Sequence, residues 1–371
     1  MTGKNSRLIP VTKPSLGPLS EYVGFLEEIW DTGIMTHNGP FVQQLELVLQ
    51  NYLDVKNVVC VSSGTTALQL AIRALDLSGE IITTPFSFIA TANIISWEHC
   101  QPVFVDIDQD TWNMDPNKIE EAITPNTSAI LPVHVFGTAC TEFDIEYIAG
   151  KYNLRVIYDA AHAMSVNRGG KSILEAGAVS CVSFHATKLF TTGEGGACVT
   201  EDDDLADRIK RLRFFGFDKN KDIVDEGMNG KMTEISAALG LVNIKRLSRV
   251  LENRGEKYQL YVELLIDMPD LQFQKIDRGE SNFSYMPICF QTEKMLIHVM
   301  TELNKNGIFP KRYFFPALHD LPIFDYRNKL SVVETISSTV VCLPLYDTLS
   351  EEDIRRICTI IKKAIGVFKQ Y

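Results

Sequence analysis

Lys188 closes the segment Ser183-Phe184-His185-Ala186-Thr187-Lys188, and Gly193-Glu194-Gly195-Gly196 follows a few residues on. The apolar run from Ala178 to Val182 precedes it, and the strand-like Ala197-Cys198-Val199-Thr200 comes after. A lysine at the end of a buried strand is desolvated, releases its proton more easily and can trap a carbonyl carbon as a free amine. Alone, a lysine in a Gly-rich turn is ordinarily a solvated residue. The reading therefore depends on what else the chain brings to it.

Four other stretches bear on that amine. Ser62-Ser63-Gly64-Thr65-Thr66 sits between a short apolar run and a helix start. Its backbone N–H groups and hydroxyls converge on one point and suit an anion, most simply phosphate, or else only cap the helix. Asp159, in Tyr158-Asp159-Ala160-Ala161-His162, ends an apolar strand, where a carboxylate is costly to bury without a cation. A protonated ring nitrogen of a cofactor, or a neighbouring Arg or Lys, would serve. His162 can donate to a ring oxygen or be a structural histidine. Phe88, in Pro85-Phe86-Ser87-Phe88, can stack on a flat ring or belong to the core. Ser183 can bind a phosphate oxygen or be an ordinary strand hydroxyl.

Together these groups supply a phosphate cradle, a ring stacker, an acid for a pyridinium nitrogen and an amine for an aldehyde, which are the requirements of pyridoxal phosphate. The acid keeps the ring nitrogen protonated so that the ring accepts the electrons of a substrate carbanion. The lysine first holds the aldehyde as a Schiff base and, once released, moves the proton as general base.

The elements that must position these groups alternate between short apolar strands and helices. Strands are predicted at Val58 to Val61, Ile81 to Thr84, Val103 to Val105, Ala129 to Val135 and Arg155 to Tyr158, the last delivering Asp159. Helices are predicted from Tyr22 to Trp30, Phe41 to Leu53, Ala67 to Leu75, Ala90 to Trp97, Asp115 to Ile123 and Glu142 to Tyr152. Such alternation predicts βαβ units and a mostly parallel sheet flanked by helices, an α/β fold. Ligands bind beyond the carboxyl ends of the strands in such sheets, and Gly64, Phe88, Asp159 and Lys188 all fall just past a strand or in the next turn. After Thr200 a helix is expected from Leu205 to Leu212, then one long helix from Met232 to about Leu265. A smaller α+β unit follows, with a strand near Tyr285 to Ile288 and helices from Thr292 to Asn306 and Glu351 to Phe368. The expected organisation is an N-terminal arm and helix over 1–40, a large cofactor domain over 41–245 and a small C-terminal domain over 246–371.

Composition bounds the function. The chain has 371 residues, 45% hydrophobic and 22% charged, with a formal net charge of -11. That balance argues against broad nucleic-acid or acidic-membrane binding, which rests on excess Lys and Arg. The eight cysteines are scattered singly without a CxxC pair, so neither a metal site nor a disulfide framework is signalled. Cys60, Cys181, Cys198 and Cys342 lie in apolar runs, which fits a reducing cytoplasm. Met1 to Arg7 is polar with no apolar segment behind it, so no signal peptide is expected, and no run approaches bilayer-spanning length.

The segments Ser63-Gly64-Thr65-Thr66-Ala67-Leu68, Pro85-Phe86-Ser87-Phe88-Ile89-Ala90-Thr91-Ala92-Asn93, Val103-Phe104-Val105-Asp106, Asp159-Ala160-Ala161-His162-Ala163, Ser183 to Lys188, Gly193 to Gly196 and Asn229-Gly230-Lys231-Met232-Thr233-Glu234-Ile235 together resemble the DegT/DnrJ family of nucleotide-sugar aminotransferases. The likeness runs over nearly the whole chain and implies the aspartate-aminotransferase-like fold, type I among pyridoxal-phosphate enzymes. By this resemblance Lys188 is the Schiff-base lysine and Asp159 pairs with the pyridine nitrogen. His162 lies near the phenolic oxygen, where many relatives have Gln, and Phe88 stacks on the ring. Gly64, Thr65 and Ser183 hold the phosphate, and Asn229 reaches the phosphate of the neighbouring subunit in a homodimer with shared active sites. Relatives with histidine in place of the lysine dehydrate; Lys188 favours transamination.

The resemblance also implies a nucleotide-linked keto-sugar as substrate and L-glutamate as amino donor. Arg213, Lys311, Arg312 and Tyr313 are the candidate substrate contacts. The segment Lys311-Arg312-Tyr313-Phe314-Phe315-Pro316-Ala317-Leu318-His319 departs from the His-Tyr-Pro pattern of C3-aminating members. It is more similar to that of the viosamine-type members, which make dTDP-4-amino-4,6-dideoxyglucose. The expectation is amination at C4 of dTDP-4-keto-6-deoxyglucose, in an O-antigen or other surface-glycan pathway. The alternatives are a dTDP-3-keto-6-deoxyhexose aminated at C3, or a UDP-linked 4-keto sugar. A non-catalytic sugar-binding regulator would lack the catalytic residues or carry a DNA-binding segment, and neither is seen.

Overall fold

Small-residue turns cut the apolar runs between residues 57 and 200 into seven strands of one sheet. The structure is a computed structural model that describes residues 8–276, 281–324, 326 and 328–370. The strands are β1 (Asn57–Val61), β2 (Glu80–Thr83), β3 (Gln101–Phe104), β4 (Thr127–Leu131), β5 (Arg155–Asp159), β6 (Val179–Ser183) and β7 (Gly196–Thr200). Their order is β1-β7-β6-β5-β4-β2-β3. All neighbours are parallel except β7, which runs antiparallel to both β1 and β6. The turn into β7 therefore lies at the carboxyl ends of β1, β5 and β6.

The period-two alternation of the strands sorts their side chains between two apolar layers, so both faces of the sheet are covered. Val59, Val61, Val179, Cys181 and Cys198 pack with α3 (Gly64–Ala74) and α6 (Asp203–Arg213). Val58, Cys60, Val182, Ala197 and Val199 pack on the other face with α2 (Pro40–Leu53) and α7 (Glu234–Ile244). Each fully buried branched side chain contributes about 1.5–3 kcal/mol, and this two-sided burial holds the strand ends in place. Helices α1 (Leu19–Thr32), α4 (Ile89–Trp97) and α5 (Glu142–Tyr152) complete this half of the chain.

Two helical expectations are corrected. The helix predicted from Asp115 to Ile123 is a 3-10 turn, Pro116–Lys118, with one helical turn behind it, Ile119–Ala122. The long helix from Met232 breaks at Lys245-Arg246 into α7 and α8 (Leu247–Leu265). No Gly or Pro marks the break. Lys245 and Arg246 both turn to Glu21 of α1, at 3.1 and 2.6 Å, and the change of direction lets α7 bury against the large sheet while α8 runs on to the second core.

That second core lies around an antiparallel sheet of β8 (Leu271–Phe273), β9 (Met286–Phe290) and β10 (Val340–Leu343). Ile288, Leu296, Leu303, Val341, Ile354, Ile357 and Ile361 fill it beneath α9 (Glu293–Lys305) and α11 (Glu351–Phe368), with α10 (Ser331–Thr339) leading into β10. Thr292 and Ser350 cap α9 and α11 through their hydroxyls. Ile9 and Pro10 pair in parallel with Ile308 and Phe309, so the start of the chain is stitched onto this unit. All eight cysteines are free and buried. Among the described residues no helix is long and apolar enough to cross a membrane.

Candidate active site

The carboxyl ends of β1, β5 and β6 open into a cavity of about 340 Å³ lined by Ser63, Gly64, Thr65, Phe88, Asp159, His162, Ser183, Lys188, Lys311 and Tyr313, among others. A larger groove of about 710 Å³, lined by Asp108, Asp110, Asp115 and Asp144, holds none of these groups. Lys188 and Asp159, the two groups on which the sequence reading depends most, thus share one wall system despite lying 29 positions apart in the chain.

Asp159 is the last residue of β5, and both its backbone groups pair with the 132–134 segment that continues β4. Its N–H donates to the Pro132 carbonyl at 2.9 Å, and its carbonyl accepts from His134 N–H at 3.1 Å. Its carboxylate accepts from Thr91 Oγ1 at 2.7 Å and from Ala161 N–H at 3.1 Å. No ion pair to it is present among the described residues. Burial pushes its pKa up, while the Thr91 hydroxyl, the Ala161 N–H and the Lys188 cation hold that rise back. Lys188, in the turn after β6, shows the opposite response. Burial lowers its amine from 10.5 to about 8, Asp159 pulls upward, and Lys311 adds to the fall. Each group moves toward its uncharged form because the cavity wall is poor in water.

Gly64 begins α3, and a Cβ there would sit 2.8 Å from the Ser183 Cβ. Ser63 turns its hydroxyl to cap Thr66 N–H at 3.0 Å. That leaves Gly64 and Thr65 N–H, at the positive end of the helix, without protein acceptors among the described residues, as an anion requires. The capping and the anion-binding readings of this turn are therefore both correct, served by different N–H groups. Gly196 opposite is equally confined, since a Cβ there would lie 2.6 Å from Gly64 N.

His162 forms the far wall. Its Nδ1 accepts from Phe136 N–H at 3.2 Å. Burial, with Lys188 nearby, pushes its pKa well below the usual histidine range. The ring is thus neutral and carries its proton on Nε2. Its ring lies nearly parallel to those of Phe136 and Phe314, at 6.2 and 5.9 Å with interplanar angles of 5° and 15°, in a cluster where the two phenylalanines are themselves 5.2 Å apart, and Tyr285 leans on it at 4.6 Å. Phe136 and Phe314 take left-handed φ values of 56° and 62°, uncommon for bulky residues. Phe88 caps α4 and is 64% exposed, a free aromatic face on the cavity rather than a core side chain.

Two sequence candidates for this cavity fall elsewhere. Arg213 is buried outside the cavity, and its guanidinium donates to Glu46 and the Cys60 carbonyl, both at 2.6 Å, and to Asn38 at 3.1 Å. It ties α6 to α2. Arg312 also points away, donating to Glu293 and the Ser338 carbonyl at 2.8 Å each and stacking on Phe315. The segment is extended, with Lys311 pairing to Cys342, so Lys311 and Tyr313 face the cavity and Arg312 between them does not. Asn229 lies outside the cavity of its own chain and accepts from Lys231 Nζ. Sequence reasoning missed Ser87, Thr91, Tyr285, His185 and Glu194. The first two carry a signal in their i, i+4 spacing across the start of α4; Tyr285 carries none, because the second unit delivers it.

The residues present fit pyridoxal 5′-phosphate: a buried carboxylate without an ion-pair partner, a cradle of unsatisfied N–H groups and a part-neutral amine surround one cavity. A set of this kind, on a sheet of this topology, defines the pyridoxal-phosphate class of enzymes. A model of the DegT/DnrJ/EryC1/StrS aminotransferase family matches residues 20–362. The chain is 40% identical to the dTDP-4-amino-4,6-dideoxy-D-glucose transaminase of Escherichia coli, over 96% of this chain and 99% of that protein. It is 41% identical to the protein of the same name from Shigella dysenteriae, over 95% and 98%. The structure of DesI in the presence of its TDP-sugar product superposes with a TM-score of 0.93 at 31% identity, covering all of this chain and 96% of that one. NtdA from Bacillus subtilis with bound cofactor PMP gives 0.87 at 31% identity, over 94% and 82%. The chain belongs to the DegT/DnrJ/EryC1/StrS aminotransferase family and is a pyridoxal-phosphate-dependent sugar aminotransferase.

Proposed function

We propose that the enzyme transfers the amino group of L-glutamate to C4 of dTDP-4-keto-6-deoxyglucose, giving dTDP-4-amino-4,6-dideoxyglucose. The observation that carries this reading is the 40% identity, over 96% of the chain, to a transaminase named for that product. Bound pyridoxal phosphate supplies an electron-accepting ring and a carbon that exchanges amines. The protein does the rest. Gly64 and Thr65 N–H groups and the Ser183 hydroxyl hold the phosphate at the start of α3. Asp159 keeps a proton on the ring nitrogen, His162 donates from Nε2 toward the ring oxygen, and Phe88 covers the ring face. Lys188 Nζ, with its pKa near 8, is partly free amine around neutral pH and carries the proton to and from the sugar carbon. Lys311, an exposed cation on the cavity wall, meets the anionic part of the nucleotide sugar, and Tyr313 lies beside it with its ring under the Lys311 ammonium at 4.8 Å.

The reading extends to assembly and context. The proposed active form is a homodimer in which Asn229 completes the neighbouring phosphate site, consistent with its position outside its own cavity. The proposed units are the arm at 1–40, the cofactor domain at 41–245 and the small domain at 246–371. Work in the cytoplasm, in an O-antigen or related glycan pathway, suits the free buried thiols and the substrate. A panel of dTDP- and UDP-linked 4-keto and 3-keto sugars with L-glutamate, read by product NMR, tests the proposal. A 4-amino product from the dTDP-4-keto sugar supports it; a C3-aminated product as the preferred outcome overturns it.

A further inference from the structure

Asp159 is held by a chain of hydroxyls that has a direction. Thr91 Oγ1 lies 2.7 Å from Asp159 Oδ2, and Ser87 Oγ lies 2.7 Å from Thr91 Oγ1. Thr91 is fully buried in the first turn of α4, and Ser87 is 3% exposed at the cavity wall. A hydroxyl carries one proton, and an ionised carboxylate only accepts. With Asp159 charged, Thr91 must donate to it, and Ser87 must then donate to Thr91. Protonating Asp159 removes the charge, so the Thr91 and Ala161 donors are left with ordinary neutral hydrogen bonds. Charge-assisted hydrogen bonds are shorter and stronger than neutral ones, so the chain favours the charged state that burial opposes.

We propose that Thr91 is a positioning residue whose hydroxyl, backed by Ser87, keeps Asp159 ionised and aimed at the cofactor. Because one Asp159 oxygen is bound by Thr91 and the other by Ala161 N–H, the carboxylate plane cannot rotate without losing a donor. The buried Thr91 makes no contact with the cavity, so it acts only through Asp159. The proposal rests on the reading of Asp159 as the partner of the ring nitrogen.

The test uses full-length holoenzyme, with cofactor retention after dialysis measured across a pH series for wild type, Thr91→Val, Thr91→Ser and Ser87→Ala. Removing a donor to a carboxylate raises its pKa, so Asp159 takes up its proton earlier as pH falls. The acid limb of retention is expected to move up by about one pH unit in Thr91→Val, a roughly tenfold loss at fixed pH on that limb. Thr91→Ser restores the wild-type limb, and Ser87→Ala moves it by a smaller amount in the same direction. Thermal melts report folding; if Thr91→Val does not fold, Ser87→Ala decides alone. An unmoved limb in Thr91→Val, or a limb moved as far in Thr91→Ser, overturns the proposal, as does lost stability at every pH with no shift of the limb. Wild type that retains no cofactor at any pH sinks the reading of Asp159 and this proposal together.

Discussion

Replacing Lys188 by methionine removes the ammonium but keeps an unbranched stem in the cavity, and it is expected to stabilise the cofactor-free protein. The amine falls from 10.5 to about 8 in the folded chain, with burial as the largest cause. At ~1.4 kcal/mol per unit, holding it charged at pH 7 costs about 3 kcal/mol. The side chain is only partly buried, so water screens some of that, and a gain of about 1–3 kcal/mol is expected. The attraction to Asp159 is already contained in the shift and is not counted again. The sign follows from proton binding. Between about pH 8 and 10.5 the unfolded chain still holds the proton that the folded chain has released, so wild-type stability rises with pH there. Below that window the penalty is full, and above it the penalty vanishes. Urea unfolding of both cofactor-free proteins, at one protein concentration, reads the difference at neutral and at alkaline pH. The buried thiols titrate alike in both proteins and cancel. The variant should be more stable at neutral pH and lose that advantage as pH rises; a variant that is less stable at neutral pH, or whose advantage is independent of pH, refutes the account of Lys188.

Gly64→Ala places a methyl carbon 2.8 Å from the Ser183 Cβ, where a helix start and a strand end leave little room to shift. Cofactor affinity should fall by about tenfold or more, the equivalent of roughly 1.4 kcal/mol, in a protein whose circular dichroism is unchanged. Lys311→Ala should raise the KM for the sugar nucleotide about tenfold with kcat little changed, the signature of lost ground-state binding. Arg312→Ala should leave that KM alone and instead lower stability by about 1–3 kcal/mol, because the Ser338 carbonyl loses its donor. Arg213→Ala should cost about 2–4 kcal/mol in urea unfolding, since it leaves the largely buried Glu46 charge with only the Cys60 N–H and leaves the Cys60 carbonyl without its guanidinium donor; a KM change without that loss would return Arg213 to the substrate.

What the sequence made legible were the groups whose role depends on strand ends. Gly64, Asp159 and Lys188 each follow an apolar run, and a parallel sheet brings such positions to one edge whatever the loops between them do. Direction was less legible. Charge alone does not tell whether a guanidinium faces a cavity, and Arg213 finds Glu46 at a separation of 167 positions. The alternation that turns Arg312 away was readable only once the extended pairing of Lys311 with Cys342 was known. The break at Lys245-Arg246 has no Gly or Pro; on its two sides α7 buries Ala237, Ala238 and Leu241 in one core and α8 buries Tyr258, Tyr261 and Leu265 in another, tertiary packing overriding helical periodicity. Thr91 reaches Asp159 across 68 positions, and neither residue's local pattern announces the other.

The central claim is that one amine, that of Lys188, is bonded to the cofactor in the resting enzyme. Borohydride reduction of the holoenzyme fixes the cofactor to whichever amine holds it, and peptide mass spectrometry then locates the adduct. A single pyridoxyl modification on Lys188, absent from Lys188→Met, is the expected result. An adduct on Lys311 or another lysine, or none in protein that retains the cofactor, would contradict the account.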